Sequence, residues 1–233
     1  MKCRLAQFAC TFLLLVPYAN AADSLDRIVA TVNRQPILAS DVDDEAHFEA
    51  LQQAKAPGEL DADRRAVLNR VIQRELICQQ MPDTYEPAKE LIDGQVSDLR
   101  AQFTAVKTTG EWAALLGTYG FDDQILRDDI KLRIKVVHFL DLRLRPTVRV
   151  DHEEIGDYYS NKLVPQLKAA GAKVEPIDQV KDKIAEVLMQ QKMTEVFNAW
   201  TANLRSQASV RILDPELAAP PSTVSDRASV STN

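Results

Sequence analysis

The sequence predicts a mainly α fold, a helical module with a small β element formed by an N-terminal hairpin and a C-terminal strand. Three observations carry this expectation. Only seven glycines occur in 233 residues and aromatic residues make up 6% of the chain, a composition suited to helices rather than to closely turned strands. β-Branched residues alternate in Ile28–Val32 near the start and return in "SVRIL", Ser209 to Leu213, near the end. Between those runs, apolar residues recur every three or four positions within long charged stretches.

Residues 1–21 read as a secretory signal peptide. Lys2 and Arg4 precede an apolar run of about nine residues, Phe8 to Val16, and Ala19-Asn20-Ala21 offers the small residues that a signal peptidase reads. The run falls well short of the roughly 20 residues that span a bilayer, so stable membrane insertion is not expected. Cys10 lies inside the apolar run, where a lipid-anchored cysteine would follow it. Cleavage after Ala21 places the mature chain in the periplasm and leaves Cys78 as its one thiol, unable to form an internal disulfide. The surrounding "VIQRELICQQ" reads as the apolar face of a helix, which favours a core thiol over a redox role. Loss of Lys2 and Arg4 takes the formal charge from −6 to −8, an acidity that argues against nucleic acid as a partner.

In the mature chain, Ile28–Val32 reads as a strand, Asn33-Arg34-Gln35 as a turn, and Pro36-Ile37-Leu38 as an edge strand, because proline cannot donate to a ladder. Ser40 is the expected N-cap of the first helix, whose first turn carries Asp41, Asp43, Asp44 and Glu45 against the positive dipole end. A calcium loop fails on spacing, since Ala46 stands at the sixth position where a glycine is required. Leu68, Val71, Ile72, Leu76 and Ile77 mark a helix over 61–80, and Leu91, Ile92, Val96, Leu99 and Phe103 another over 87–103. "EWAALLGTYGF" is a short helix closed by Gly117 or Gly120. Asp122 to Arg145 is a long one ended by Pro146, with Ile125, Leu126, Ile130, Leu132, Ile134, Val137 and Leu140 on its apolar stripe. A four-helix cluster beside the opening hairpin is the simplest packing.

Past Pro146, "TVRV" reads as extended. Asp151 and Glu154 form a capping box at the next helix, and residues 161–175 read as a loop. A long amphipathic helix follows, with Val180, Ile184, Val187, Leu188, Val196, Phe197, Trp200 and Leu204 on its buried stripe. The closing strand must pair with the hairpin or with "TVRV". Residues 214–233 carry almost nothing to bury and are expected to be disordered.

In series, "DRIVATVNRQPILASDVD", "VLNRVIQRELICQQ", "GFDDQILRDDIKLRIKVVHFLDLRLRPTVRVDHEEIGDYY" and "DQVKDKIAEVLMQQKMTEVFNAWTANLRSQASVRIL" resemble the SurA-type periplasmic chaperones, related in layout to the PpiD and PrsA foldases. The resemblance covers most of the mature chain. It implies one domain over 22–213, in which segments 22–160 and 176–213 pack together around an apolar crevice, with Ile28–Val32 pairing near Val210–Leu213. In that family one or two parvulin isomerase domains follow the "EEIGDYY" helix, whereas here Lys162 to Pro176 alone intervenes, too short for a parvulin fold. The paired histidines of a proline pocket are also missing: His47, His138 and His152 are scattered and read as satisfied or solvated side chains.

No Ser-His-Asp set, metal-ligand spacing or phosphate loop stands elsewhere in the sequence, so no catalytic residue, metal or cofactor is assigned. The resemblance implies an ATP-independent holdase without prolyl isomerase activity. Its clients would be unfolded or partly folded envelope proteins, with outer-membrane β-barrel precursors as candidates. Phe103, Trp112, Leu116, Tyr119, Phe121, Tyr158 and Tyr159 are the candidate contact residues, against the competing reading of each as core. The alternatives are a dedicated interaction subunit of an envelope complex and, behind it, a prolyl isomerase.

Overall fold

A computed structural model describes residues 26–59, 63–82 and 84–218. The expected signal peptide and residues 219–233 of the expected tail lie outside them. Strands β1 (Ile28–Val32) and β2 (Gln35–Leu38) form the opening hairpin, and β3 (Val210–Ile212) joins the other edge of β1, giving an antiparallel sheet in the order β2-β1-β3. β1 meets β3 in the register Ala30 to Ile212 and Val32 to Val210. Asn33 makes the hairpin turn at φ 58°, a left-handed conformation that asparagine tolerates. Its backbone N–H donates to the Ser209 carbonyl at 2.8 Å while its side-chain oxygen accepts from the Ser209 N–H at 3.1 Å. The turn therefore fixes the hairpin and the start of the closing strand together.

Helices α1 (Ala39–Gln52), α2 (Arg64–Cys78), α3 (Lys89–Ala101), α4 (Thr109–Thr118) and α5 (Asp123–Leu144) follow. The expected Ser40 cap moves back two residues. Leu38 holds the cap position, the Asp41 carboxylate accepts from its N–H at 2.8 Å, and the Ser40 hydroxyl donates to Asp26. At α2, α4 and α5 the cap is supplied by the residue just before the helix. Asp63 accepts from the Arg65 N–H, Asp122 from the Ile125 N–H, and Thr108 with Glu111 closes a capping box on α4. Gly120, at φ 80°, ends α4 in a left-handed step, after which the Phe121 N–H reaches back to the Leu116 carbonyl and the Phe121 ring turns inward.

Two cores result, with α1 contributing to both. Val29, Val32, Ile37, Val42, Leu68, Ile72 and Leu76 close the first, between the sheet and α2. Phe48, Leu51, Val96, Leu99, Trp112, Leu116, Phe121, Leu126 and Ile130 close the second, among α1, α3, α4 and α5. Glu45 stands between them, 6% exposed, and bonds Arg74 of α2 and Arg133 of α5, the latter at 2.7 Å. Arg133 also binds Asp129 at 2.6 Å and lies over the Phe48 ring at 3.7 Å. Cys78 ends α2 half-buried and outside both cores. Burial, and then the charge of Glu75, push its thiol pKa up, which favours the protonated form.

Of three expectations for the second half, one holds and two are corrected. Past the 3₁₀ turn Arg145–Thr147 the backbone of "TVRV" is extended but joins no sheet, and of the two partners open to the closing strand it is the hairpin strand β1 that pairs with β3. The expected loop over 161–175 is largely helical, with α6 (His152–Tyr158) running through a π-helical stretch, Tyr159–Leu163, into α7 (Val164–Ala169). Pro165 accounts for the π stretch. Its ring lacks an N–H and crowds the Asn161 carbonyl one turn back, and the Val164 N–H donates five residues back, to Tyr159. Third, the tail does not lose order at Asp214. Helix α9 (Pro215–Ala218) seats Leu217 in the first core, and Asp214, 4% exposed, pairs with Arg27 at 2.9 Å. Helix α8 (Ile177–Gln207) spans the molecule, yet of its expected buried stripe only Ile184 is fully covered and Val187 is 40% exposed.

Candidate functional site

Helix α5 outruns α3 and α4, the helices that close the second core with it. Its 22 residues face neighbours of 13 residues in α3 and 10 in α4, so its first half is sealed by the second core and its second half is not. Leu126 and Ile130 are buried, Ile134 is partly covered, and Val137 and Leu142 stand 65% and 63% exposed. α8 crosses this half, touching it where the Phe139 and Trp200 rings meet at 6.2 Å, and leaves open clefts on either side.

Two of these clefts join along one face of α5. The larger, about 470 Å³, has an apolar floor of Phe48, Ile130, Ile134 and Val137, with the polar groups of Gln52, Gln95, Arg133 and Asp141 around it. The second, about 310 Å³, continues from Val137 through Leu140 and Leu144 and is walled by Met193 and Phe197 of α8. Both contain Val137 and Asp141. At about 1.5 Å per residue, the floor from Ile130 to Leu144 runs roughly 21 Å. A third cleft of about 280 Å³, with Phe139 and Leu142, lies behind the stacked rings of Tyr85 and His138, which are 3.7 Å apart and divide it from the first.

The charged groups at this groove are already paired. Arg133 is held by Glu45 and Asp129, and Arg145 by Asp141 at 2.6 Å. Burial raises the Glu45 carboxyl pKa, but the bonds from Arg133 and Arg74 outweigh it and hold the group below its usual range. The side-chain amides of Gln52 and Gln95 make no hydrogen bond among the described residues. The groove thus offers an apolar floor, satisfied charges, and two amides that can each donate and accept. Among the described residues no group of three or more His, Cys, Asp or Glu could hold a metal ion, and no helix is long and apolar enough to cross a membrane.

The aromatic residues marked from the sequence sit elsewhere. Trp112, Leu116, Tyr119 and Phe121 are at most 5% exposed in the second core, and Phe103 packs on it, its ring 6.1 Å from that of Trp112. The Tyr119 hydroxyl donates to the Lys55 carbonyl at 2.7 Å, a polar tip satisfied inside the fold. Four of these residues are sealed in the second core, Phe103 is partly exposed on its surface, and none of the five lines the groove. Tyr158 and Tyr159 lie away from α5. Tyr158 lines a separate cleft against α8, and the Tyr159 hydroxyl donates to the Glu175 carbonyl at 2.7 Å.

Of the residues that form the groove, the sequence marks Ile130, Ile134, Val137 and Leu140 only as part of an inward stripe, and it does not mark Phe48, Leu144 or Met193. The available signal was length: an apolar stripe running well past what two shorter neighbours can cover. No protein-family model and no curated protein matches the chain, so what the groove can hold follows from its shape and chemistry.

Proposed function

We propose that this protein is an ATP-independent periplasmic holdase, exported by a cleaved signal peptide, that keeps unfolded or partly folded envelope proteins from aggregating. Outer-membrane β-barrel precursors are the candidate clients, and no prolyl isomerase activity accompanies the holding. One observation carries the reading: beside two closed cores, an apolar groove roughly 21 Å long stays open along α5 with its charges internally paired. An extended segment of about six residues at roughly 3.3 Å each matches that length. Its side chains meet aliphatic floor while Gln52 and Gln95 are placed to bond backbone groups that would otherwise lose water.

The energetics suit holding and release. Micromolar affinity is about 8 kcal/mol. Burying a few apolar client side chains at roughly 1.5–3 kcal/mol each, less the ordering of the segment, reaches that range without nucleotide. Wide, shallow clefts select for apolar character rather than for one sequence.

The test is the light scattering of a denatured β-barrel protein diluted into buffer containing the purified mature chain and no nucleotide. Substoichiometric to few-fold excess should delay aggregation, and Val137→Asp, which alters an exposed side chain, should weaken client binding by about tenfold while leaving the circular dichroism unchanged. Aggregation unaffected at several-fold excess, beside an active control holdase, or a Val137→Asp variant as effective as wild type, would overturn the reading. Capture of one native partner with no effect on aggregation would make the groove the docking site of a dedicated subunit instead.

A further inference from the structure

A separate cleft stands apart from the α5 groove, where the chain turns from α7 into α8. The π-helical stretch Tyr159–Leu163 shifts the helical register there, and a cleft of about 280 Å³ opens between it and α8. Leu163 and Leu167 face Val180 and Ile184 across the cleft, and Tyr158 adds its ring. The segment between the two helices is pinned. Gly171, at φ 67°, ends α7 with the Ala172 N–H bonded to the Leu167 carbonyl at 2.8 Å, and the Tyr159 hydroxyl holds the Glu175 carbonyl at 2.7 Å. Lys192 of α8 ties the far end through Glu154 at 2.5 Å and the Arg149 carbonyl at 2.7 Å. The walls are therefore held in place before any ligand arrives.

We infer that this cleft binds a medium-chain fatty acid, its apolar chain against the aliphatic walls and its carboxylate between Lys173 and Lys183. Both lysines line the cleft, are exposed, and make no ion pair among the described residues, while Glu175 is the one carboxylate among the lining residues. The site so carries a net positive charge in a protein whose overall charge is −6, and most other basic side chains around the clefts are already paired. A peptide is the poorer fit, because its backbone N–H and C=O groups would meet aliphatic walls that cannot bond them. An acyl chain brings polar atoms only at its end. At about 30 Å³ per heavy atom, the liquid share of a water molecule, the cleft of about 280 Å³ holds roughly nine atoms, the alkyl chain of decanoate with its carboxyl group left at the lysines.

Decanoate and decanol, titrated calorimetrically into the mature chain below the micelle threshold, test the assignment. Decanoate should bind saturably at one site. The double variant Lys173→Ala/Lys183→Ala should weaken decanoate at least tenfold and leave decanol within twofold. Val187→Trp, which fills the cleft from a position already 40% exposed, should abolish both, whereas Val137→Asp in the α5 groove should bind decanoate as wild type does. Circular dichroism confirms the fold of each variant. Decanoate binding that never saturates, that survives Val187→Trp, or that is lost with Val137→Asp would overturn the assignment, and equal weakening of acid and alcohol by lysine removal would overturn the carboxylate contact. Because the α5 groove and this cleft share no residue, failure here leaves the holdase reading standing.

Discussion

Trp112 shows how one side chain changes meaning once its surroundings are known. Between two long helices it is a plausible crevice wall. In the fold it is 3% exposed, packed by Phe103 and approached by the Arg100 guanidinium at 6.0 Å from its ring. Its indole N–H has no hydrogen-bond partner among the described residues, so its contribution is volume and apolar area. Trp112→Ala should therefore cost about 3–5 kcal/mol of stability, the range for emptying a core tryptophan site, and lower the melting temperature by roughly 10 °C. At a temperature where the variant remains folded, client binding should match wild type. A folded Trp112→Ala protein that melts normally but has lost client affinity would return this residue to the binding surface.

At the scale of elements, the closing strand and the short helix after it hold the first core shut by different means. β3 supplies ladder bonds to β1, and the Leu213 N–H extends them to the Val29 carbonyl at 2.8 Å. α9 supplies Leu217 and the ion pair of Asp214 with Arg27. A chain ending at Ala208 loses both sets and should be destabilised by several kcal/mol out of a total of about 5–15. Ending at Leu213 should cost about 2–4 kcal/mol, mostly through the lost leucine. Ending at Ala218 retains every contact described and should melt as the full chain does. Thermal melts that place the Leu213 truncation level with the full chain would show that α9 contributes nothing to the core.

For the whole molecule the critical group is Glu45, because the two cores meet at it. Its bonds to Arg74 and Arg133 join α1, α2 and α5, and α5 carries the groove. Its carboxyl pKa is held below the ordinary value of 4.5. The stability it provides is therefore fully present above the unfolded pKa and is lost as pH falls through the folded one. Glu45→Gln leaves two arginines without their shared partner and should cost about 3 kcal/mol at pH 7. The gap in melting temperature between wild type and variant should stay constant above about pH 5 and close as the wild-type carboxylate is protonated in acid. A gap that persists unchanged to pH 3 would show that shape rather than charge ties the cores together. Using the difference cancels the other carboxylates held low, among them Asp26, Asp93, Glu111 and Glu154.

What the sequence determined by itself was local. Most helix spans followed from apolar repeats, and the cap at Asp151 and a glycine stop after α4 needed only residues within one turn, because the forces that set them act across three or four positions. Pro165 carried the signal for the π-helical stretch, but the few apolar residues around it read as a loop until α8 was there to pack on. Alternation alone left two partners open to β3, since "TVRV" and "IVATV" have the same character; the family resemblance pointed to Ile28–Val32, and the fold pairs β3 there. Tertiary structure alone decided which apolar residues are covered. Trp112 and Val137 each lie on an amphipathic helix, and periodicity assigns both to an inward face. Trp112 is sealed in the second core with residues of α3 and α5, and Val137 is open because α5 extends beyond α3 and α4. Burial depends on the length and placement of neighbours, which no window along the chain contains, and the open groove exists through that mismatch.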